Sequence, residues 1–166
     1  QHRYDDIYYL DHTIDGVEGY PGSIYTRTDN HKDFLDFNTV IYGHNMEWGS
    51  MFGTLKDYRD PEYLNSHREI KIYTPEKELT YKVFAAVIYD DRLITAVYDD
   101  DDEYSRQQYL DSIYGSRDME SQVLDDVEVT TDDHIITLST CIYGEPEHRY
   151  LVVAKLMDDP DDTDKE

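Results

Sequence analysis

The chain has a single cysteine, Cys141, among its 166 residues. A lone thiol cannot close an internal disulfide, so no disulfide framework holds this fold. It suits a cytosolic protein, or an extracellular one whose thiol must stay free. Basic residues are scarce: 15 Lys and Arg stand against 38 Asp and Glu, a formal net charge of −23. Such a surface repels phosphate backbones and anionic lipid, which excludes a nucleic-acid binder. The plain reading of the acidity is solubility. A functional reading is attraction of a cationic substrate such as a primary amine. No apolar run is long enough to cross a membrane, and no signal peptide is present. There is no Pro/Gly/Ser-rich linker and no internal repeat, so the chain reads as one domain of a length that can bury a core. No His-Glu-x-x-His or paired-Cys spacing occurs, so metal hydrolysis has little support and no cofactor is implied. Acidic pairs are too numerous to nominate a glycosidase dyad, and most must be solvated surface.

Tyrosine, by contrast, is abundant: 17 residues against 4 phenylalanines. An apolar ring with a polar tip suits half-buried strands and peptide-binding grooves. Runs of β-branched and aromatic residues predict strands over 39–42, 69–73, 79–89, 93–98, 134–141 and 149–157. Ile70 and Ile72, like Tyr81 and Val83, alternate with polar neighbours, as in a sheet with one wet face. Ser50 is a candidate cap for a helix bearing Met51, Phe52, Leu55 and Tyr58 on one face. Asp60-Pro61 reads as an N-cap followed by proline at the first helical position, opening a short turn through 62–65. The spacing of Tyr109, Leu110, Ile113 and Tyr114 predicts a helix over 102–114, whose acidic start at 99–103 favours a helix N-terminus. That acidic run also reads as a solvated loop, and both can hold. Residues 158–166 are almost all acidic and read as a disordered tail, leaving a domain over 1–157. The sum is a mostly β domain of many short strands, a barrel or sandwich decorated by helices.

Three residues carry the parts of a thiol acyl-transfer site. A thiol is a useful nucleophile only as thiolate, so Cys141 needs a nearby base or cation. Histidine suits, because it titrates near neutrality and can later protonate a leaving amine. His44 stands in a Gly-flanked turn. A developing oxyanion needs donors, and the guanidinium of Arg149 supplies them at the start of the run after the cysteine. Each also has a bland reading. A lone cysteine is more often a small buried hydrophobe. One histidine of seven is more often a turn residue, and an arginine at a strand start is more often a surface charge.

The flanking words weigh against the bland readings. Tyr42-Gly43-His44-Asn45-Met46, with Met51-Phe52 and Leu55 behind it, resembles the histidine loop of class B sortases and the helix that follows. Ile135-Ile136-Thr137-Leu138-Ser139-Thr140-Cys141 resembles the sortase strand that ends in the nucleophile. Arg149-Tyr150-Leu151-Val152-Val153 resembles the next strand with its arginine, and the 102–114 helix matches the one that class B enzymes insert before the cysteine strand. The resemblance covers nearly the whole chain. It implies a mostly β, sortase-type β-barrel with inserted helices, and the cysteine transpeptidase chemistry of Gram-positive bacteria. Cys141 then attacks the Thr–Gly or Thr–Asn type bond of a C-terminal sorting signal on a surface protein and forms a thioester. His44 protonates the departing amine, and Arg149 steadies the substrate carbonyl or the oxyanion. An amine of a peptidoglycan precursor, or a lysine of a pilin subunit, resolves the thioester.

The resemblance also implies substrate contacts. Asp5-Asp6-Ile7-Tyr8-Tyr9-Leu10 resembles a family segment, Asp-Asn-x-x-Tyr-Leu, whose Asn and Leu line the groove. Asp6 stands for that Asn and keeps an acceptor but loses the amide donor. Asn45 beside the histidine, Ser105, Tyr109 and Leu110 on the inserted helix, and Ser139 and Thr140 before the cysteine complete the set. Class B enzymes usually carry N-terminal helices and a first barrel strand before the segment that begins here. By the resemblance these lie outside the chain, as does an N-terminal anchor that would hold the protein at the extracellular face of the cell membrane. An open sheet edge near 3–10, or a neighbouring chain filling it, is the structural expectation. Two alternatives stay open: a thiol hydrolase of another fold that releases to water, and a binding module in which Cys141 is merely buried.

Overall fold

The computed structural model describes residues 1–157; the acidic tail expected at 158–166 lies outside the described residues. In chain order the strands and helices are β1 (Tyr25–Thr26), β2 (Asn38–Tyr42), α1 (Pro61–Ser66), β3 (Glu69–Tyr73), β4 (Glu78–Asp90), α2 (Ile94–Val97), α3 (Glu103–Tyr114), β5 (Gln122–Val123), β6 (Ile135–Ile142) and β7 (Glu145–Leu156). The strands form one seven-stranded sheet in the order β1-β2-β6-β7-β4-β3, with β5 also on β4. Only β2 and β6 run parallel.

The domain is mostly β, as expected, but the sheet does not close into a barrel: β1 and β3 are its two ends. The segment 3–10 adds no strand; it forms a single 3-10 turn, Tyr8–Leu10. It lies against the chain just beyond edge strand β1, where Asp6 accepts from the Thr28 amide and hydroxyl. Among the described residues no helix is long and apolar enough to cross a membrane.

Both faces of the sheet centre are covered, which is why β4, β6 and β7 read as near-continuous apolar runs rather than alternating ones. On β7, Tyr150, Val152 and Ala154 enter one core with Phe52, Leu55, Tyr58 and Leu64. Leu151 and Val153 enter the other with Tyr109, Leu110 and Ile113 of α3. A bulge between Val83 and Ala85 shifts the register of β4 against β7. The one-wet-face pattern survives on edge strand β3, where half-buried Ile70 and Ile72 alternate with exposed residues, and on the first half of β4, where Tyr81 and Val83 are buried on either side of half-buried Lys82.

Two helical expectations hold to within a residue. Asp60 caps α1 by accepting from the Glu62 amide, with Pro61 at the first position. Asp102 caps α3 by accepting from Ser105. Two other expectations need correction. Residues 93–98 are not a strand: Ile94 and Tyr98, four apart, are the buried pair, and Ile94–Val97 is a short helix. Strand propensity lost there to a burial pattern of helical period. Ser50 does not open a continuous helix, because Met51 has a left-handed φ of 52°. The chain turns instead and reaches a 3-10 helix at Leu55–Arg59, which still buries Leu55 and Tyr58.

Candidate active site

Strand register builds the site. Parallel pairing sets Tyr42 of β2 beside Ser139 of β6. Continuing that register carries the next residues, Gly43 and His44, toward Thr140 and Cys141. Three bonds stitch the loop to the strand. The Gly43 amide donates to the Ser139 carbonyl at 3.2 Å, the Thr140 hydroxyl to the Gly43 carbonyl at 2.7 Å, and the Asn45 side-chain amide to the Cys141 carbonyl at 2.9 Å. On the other side of β6, Cys141 pairs with Arg149 of β7. Directly opposed residues carry their side chains on one face, within reach of each other. The result is a row at one end of three neighbouring strands: His44 just past β2, Cys141 on β6 and Arg149 on β7.

Cys141 is the exposed residue in an otherwise buried strand. The ladder is irregular between Cys141 and Ile142, and such bulges re-aim side chains at strand ends. The turn that follows is tight. Gly144 takes a φ of 82°, in the left-handed region, so pairing resumes at Ile142 and Glu145. β7 therefore begins at Glu145, four residues before the expected start. The Arg149 side chain is held on this hairpin: Nη1 donates to the carbonyls of Pro146 and His148, both at 2.8 Å. Its other nitrogens have no partner among the described residues.

The His44 ring is held from the N-terminal segment. Its Nε2 lies 2.9 Å from the Leu10 carbonyl. A carbonyl only accepts, so Nε2 carries a proton. Nδ1 is then the nitrogen left to exchange protons. The Tyr20 ring stands against the imidazole, centroids 5.0 Å apart and tilted by 56°.

Two concavities meet at this row. A groove of about 250 Å³ runs from His44, Cys141 and Arg149 between Leu10, Tyr25 and Tyr42 on one wall and residues 90–94 on the other. A shallower one of about 460 Å³ shares His44, Cys141 and Arg149 and is bordered by Tyr20, Asn45, Tyr143 and Pro146. Leu10, Ser139 and Thr140 line the first and Asn45 the second, so these four residues flank the row. Four groups in the groove wall are tuned by their surroundings. The hydrogen bonds from Arg92 hold the Asp90 carboxyl below its ordinary range, and the same contact raises Arg92. Burial pushes the Tyr42 hydroxyl up to about 12, and raises Tyr25.

The remaining expected contacts lie elsewhere. Tyr109 and Leu110 are core residues, 0% and 1% exposed, and line neither concavity. The Tyr109 hydroxyl is bound to Thr137 at 2.6 Å. Ser105 is buried too, its hydroxyl accepting from the Asp99 amide. The apolar face of α3 faces the sheet, because only there can it cover the far side of β7 and β4. Asp6 also lines neither concavity. Its bonds from the Thr28 amide and hydroxyl, and the nearby Arg27, hold its carboxyl low. The sequence reading missed Asp90, Arg92, Tyr20 and Tyr143. A Tyr-Gly pair between two strands marks the hairpin tip at Tyr143; nothing in the sequence marks the other three. Among the described residues, no group of three or more His, Cys, Asp or Glu side chains is placed to hold a metal ion.

Residues 18–157 match the family model for the sortase domain. The chain is 36% identical over 138 residues to Sortase B of Listeria monocytogenes, covering 82% of this chain and 54% of that protein. It is 34% identical over 140 residues to Sortase B of Staphylococcus aureus, covering 82% and 55%. The chain thus spans about half the length of these curated relatives. Among solved structures, that of Clostridium perfringens sortase B superposes with a TM-score of 0.80 at 26% identity, covering 93% of this chain and 83% of that one.

Proposed function

The chain belongs to the sortase family, and from that premise we propose that it is a class B cysteine transpeptidase whose catalytic domain is residues 1–157. The observation that carries the reading is the row of His44, Cys141 and Arg149 in one groove. In the first half-reaction the Cys141 thiolate attacks the carbonyl carbon of the scissile bond in a C-terminal sorting signal. The carbonyl oxygen becomes an oxyanion, which Arg149 steadies with its free guanidinium donors. As the C–N bond breaks, imidazolium His44 gives the Nδ1 proton to the departing amine. The Nε2 proton stays on the ring throughout, donated to the Leu10 carbonyl.

In the second half-reaction a primary amine attacks the thioester, His44 takes its proton, and the thiolate leaves. Two substrates must reach one carbon, and the two concavities sharing the cysteine provide two approaches. The acceptor is an amine of a peptidoglycan precursor or a pilin lysine, a cation before it reacts. The net charge of −23 draws such a partner in. The donor is a surface protein, and the place of action is the outer face of the cell membrane, where an N-terminal anchor would hold the enzyme.

Mass spectrometry after incubation with a library of sorting-signal peptides tests the reading. An acyl adduct on Cys141, lost on adding an amine and absent in Cys141→Ala, is the expected result. An adduct that water clears at the same rate with or without amine would make the protein a hydrolase. No adduct with any peptide, or turnover by Cys141→Ala, would end the transpeptidase reading.

A further inference from the structure

The Leu10 carbonyl that binds His44 belongs to a segment with little regular structure of its own, so something must aim it. The chain from Gly19 to Ser23 folds back on residues 9–12. Gly19 donates to the Asp11 carbonyl at 2.6 Å, and Ser23 to the Tyr9 carbonyl at 2.8 Å. The Ser23 hydroxyl reaches the His12 carbonyl at 3.1 Å. Between these contacts, Gly22 has a φ of 67° and presses on the backbone it faces. A Cβ at this position would lie 2.3 Å from the Tyr9 oxygen and 2.6 Å from the Leu10 oxygen. No side chain fits there without moving the oxygen that holds the catalytic imidazole. Two residues back, Tyr20 is 71% exposed and sets its ring on His44 rather than in the core.

We propose that the Gly19–Ser23 turn is a positioning element for His44. Gly22 sets the Leu10 carbonyl against Nε2, and Tyr20 closes one side of the ring. The imidazole is thereby held as the Nε2–H tautomer, with Nδ1 turned to the chemistry. Neither Tyr20 nor Gly22 exchanges a proton or bonds to substrate in this role; both act through His44. A carbonyl does for this histidine what a carboxylate does in other nucleophile–base pairs: it selects the tautomer and fixes the ring plane. Being neutral, it does so without adding charge. The inference rests on the catalytic role proposed for His44, but its first readout needs no activity.

That readout is the tautomer of neutral His44, from long-range ¹H–¹⁵N spectra of the inert Cys141→Ala protein, with His44→Gln to assign the signal among seven histidines. The Nε2–H form is expected in the parent chain, and a mixture of both tautomers in Gly22→Ala. In the thiol-bearing protein, Gly22→Ala should lower kcat on the order of 10²-fold, the size of a misplaced catalytic group, with KM little changed. Tyr20→Ala should lower kcat about two- to fivefold, and Tyr20→Phe, which keeps the ring, should restore it. An Nδ1–H tautomer in the parent protein would overturn the proposal outright. So would unchanged kcat in Tyr20→Ala, an exposed position whose replacement leaves the fold intact even if Gly22→Ala does not fold. Failure of the transpeptidase reading would show instead as a parent protein that forms no thioester, whatever the tautomer.

Discussion

Arg149 is tied down at one nitrogen and open at the others. Nη1 is committed to two backbone carbonyls of its own hairpin, so the remaining donors are held in a fixed fork. Lysine has one compact ammonium and cannot both hold the hairpin and face a substrate oxygen. Arg149→Lys is expected to lose about 10²-fold in kcat, the scale of one lost oxyanion donor, with the melting temperature unchanged. Near-parental turnover in that variant would make the arginine a hairpin brace only. His44 and Cys141 were readable as candidates because chemistry limits which side chains can serve, and each sits in a distinctive word. The Leu10 carbonyl was not readable as a hydrogen-bond partner, because every residue has a carbonyl and only the fold aims one.

At the scale of elements, α3 separates packing from recognition. Its Tyr109 hydroxyl meets Thr137 of β6, which in turn donates to Asn38 of β2 at 2.8 Å. The helix is thus bonded to the two strands that carry the cysteine and lead to the histidine. Leu110→Ala should destabilise the domain by about 2–5 kcal/mol through the cavity it leaves. Tyr109→Phe should cost less, about 1 kcal/mol, since Thr137 keeps its bond to Asn38. Denaturant unfolding checks both values. At temperatures where each variant is folded, the KM for a sorting peptide should match the parent. A raised KM without lost stability would return these residues to the substrate groove. The spacing that announced this helix was a core signal, and periodicity alone does not say which neighbour covers the apolar face.

Charge acts on the whole molecule. Burial holds the Asp100 carboxyl up to about 6, while its oxygen accepts from the Asn38 amide that starts β2. The folded state therefore favours the neutral form. That preference contributes stability in full below the unfolded value of about 4, and the contribution is lost as pH rises through about 6. Asp100→Asn keeps an acceptor and fixes neutrality. It should melt with the parent near pH 4 and above it near pH 7, as calorimetry at the two values can show. An equal gap at both would mean that Asp100 does not titrate in this window. The net charge of −23 has a second consequence. Self-repulsion and attraction of a cationic acceptor are both screened by salt. Raising ionic strength from about 0.02 to about 0.2 M should lift the melting temperature while lowering kcat/KM for a lysine-bearing acceptor more than for a neutral peptide donor. Salt-independent acceptor kinetics would assign the acidity to solubility alone.

The amino-acid sequence by itself determined the strand-rich class, the capped helices at Asp60 and Asp102, and the three side chains able to run thiol chemistry. These follow from local rules: propensity, cap chemistry and the short list of residues that can be nucleophile, base or oxyanion donor. Only the tertiary structure decided that the sheet stays open between β1 and β3, that residues 93–98 coil rather than extend, and that α3 looks inward. It alone set His44, Cys141 and Arg149 in one row, because register between strands distant in sequence is fixed by which faces the packed core can bury. It alone placed a glycine against the carbonyl that holds the histidine, a contact between backbone atoms that no side-chain pattern records.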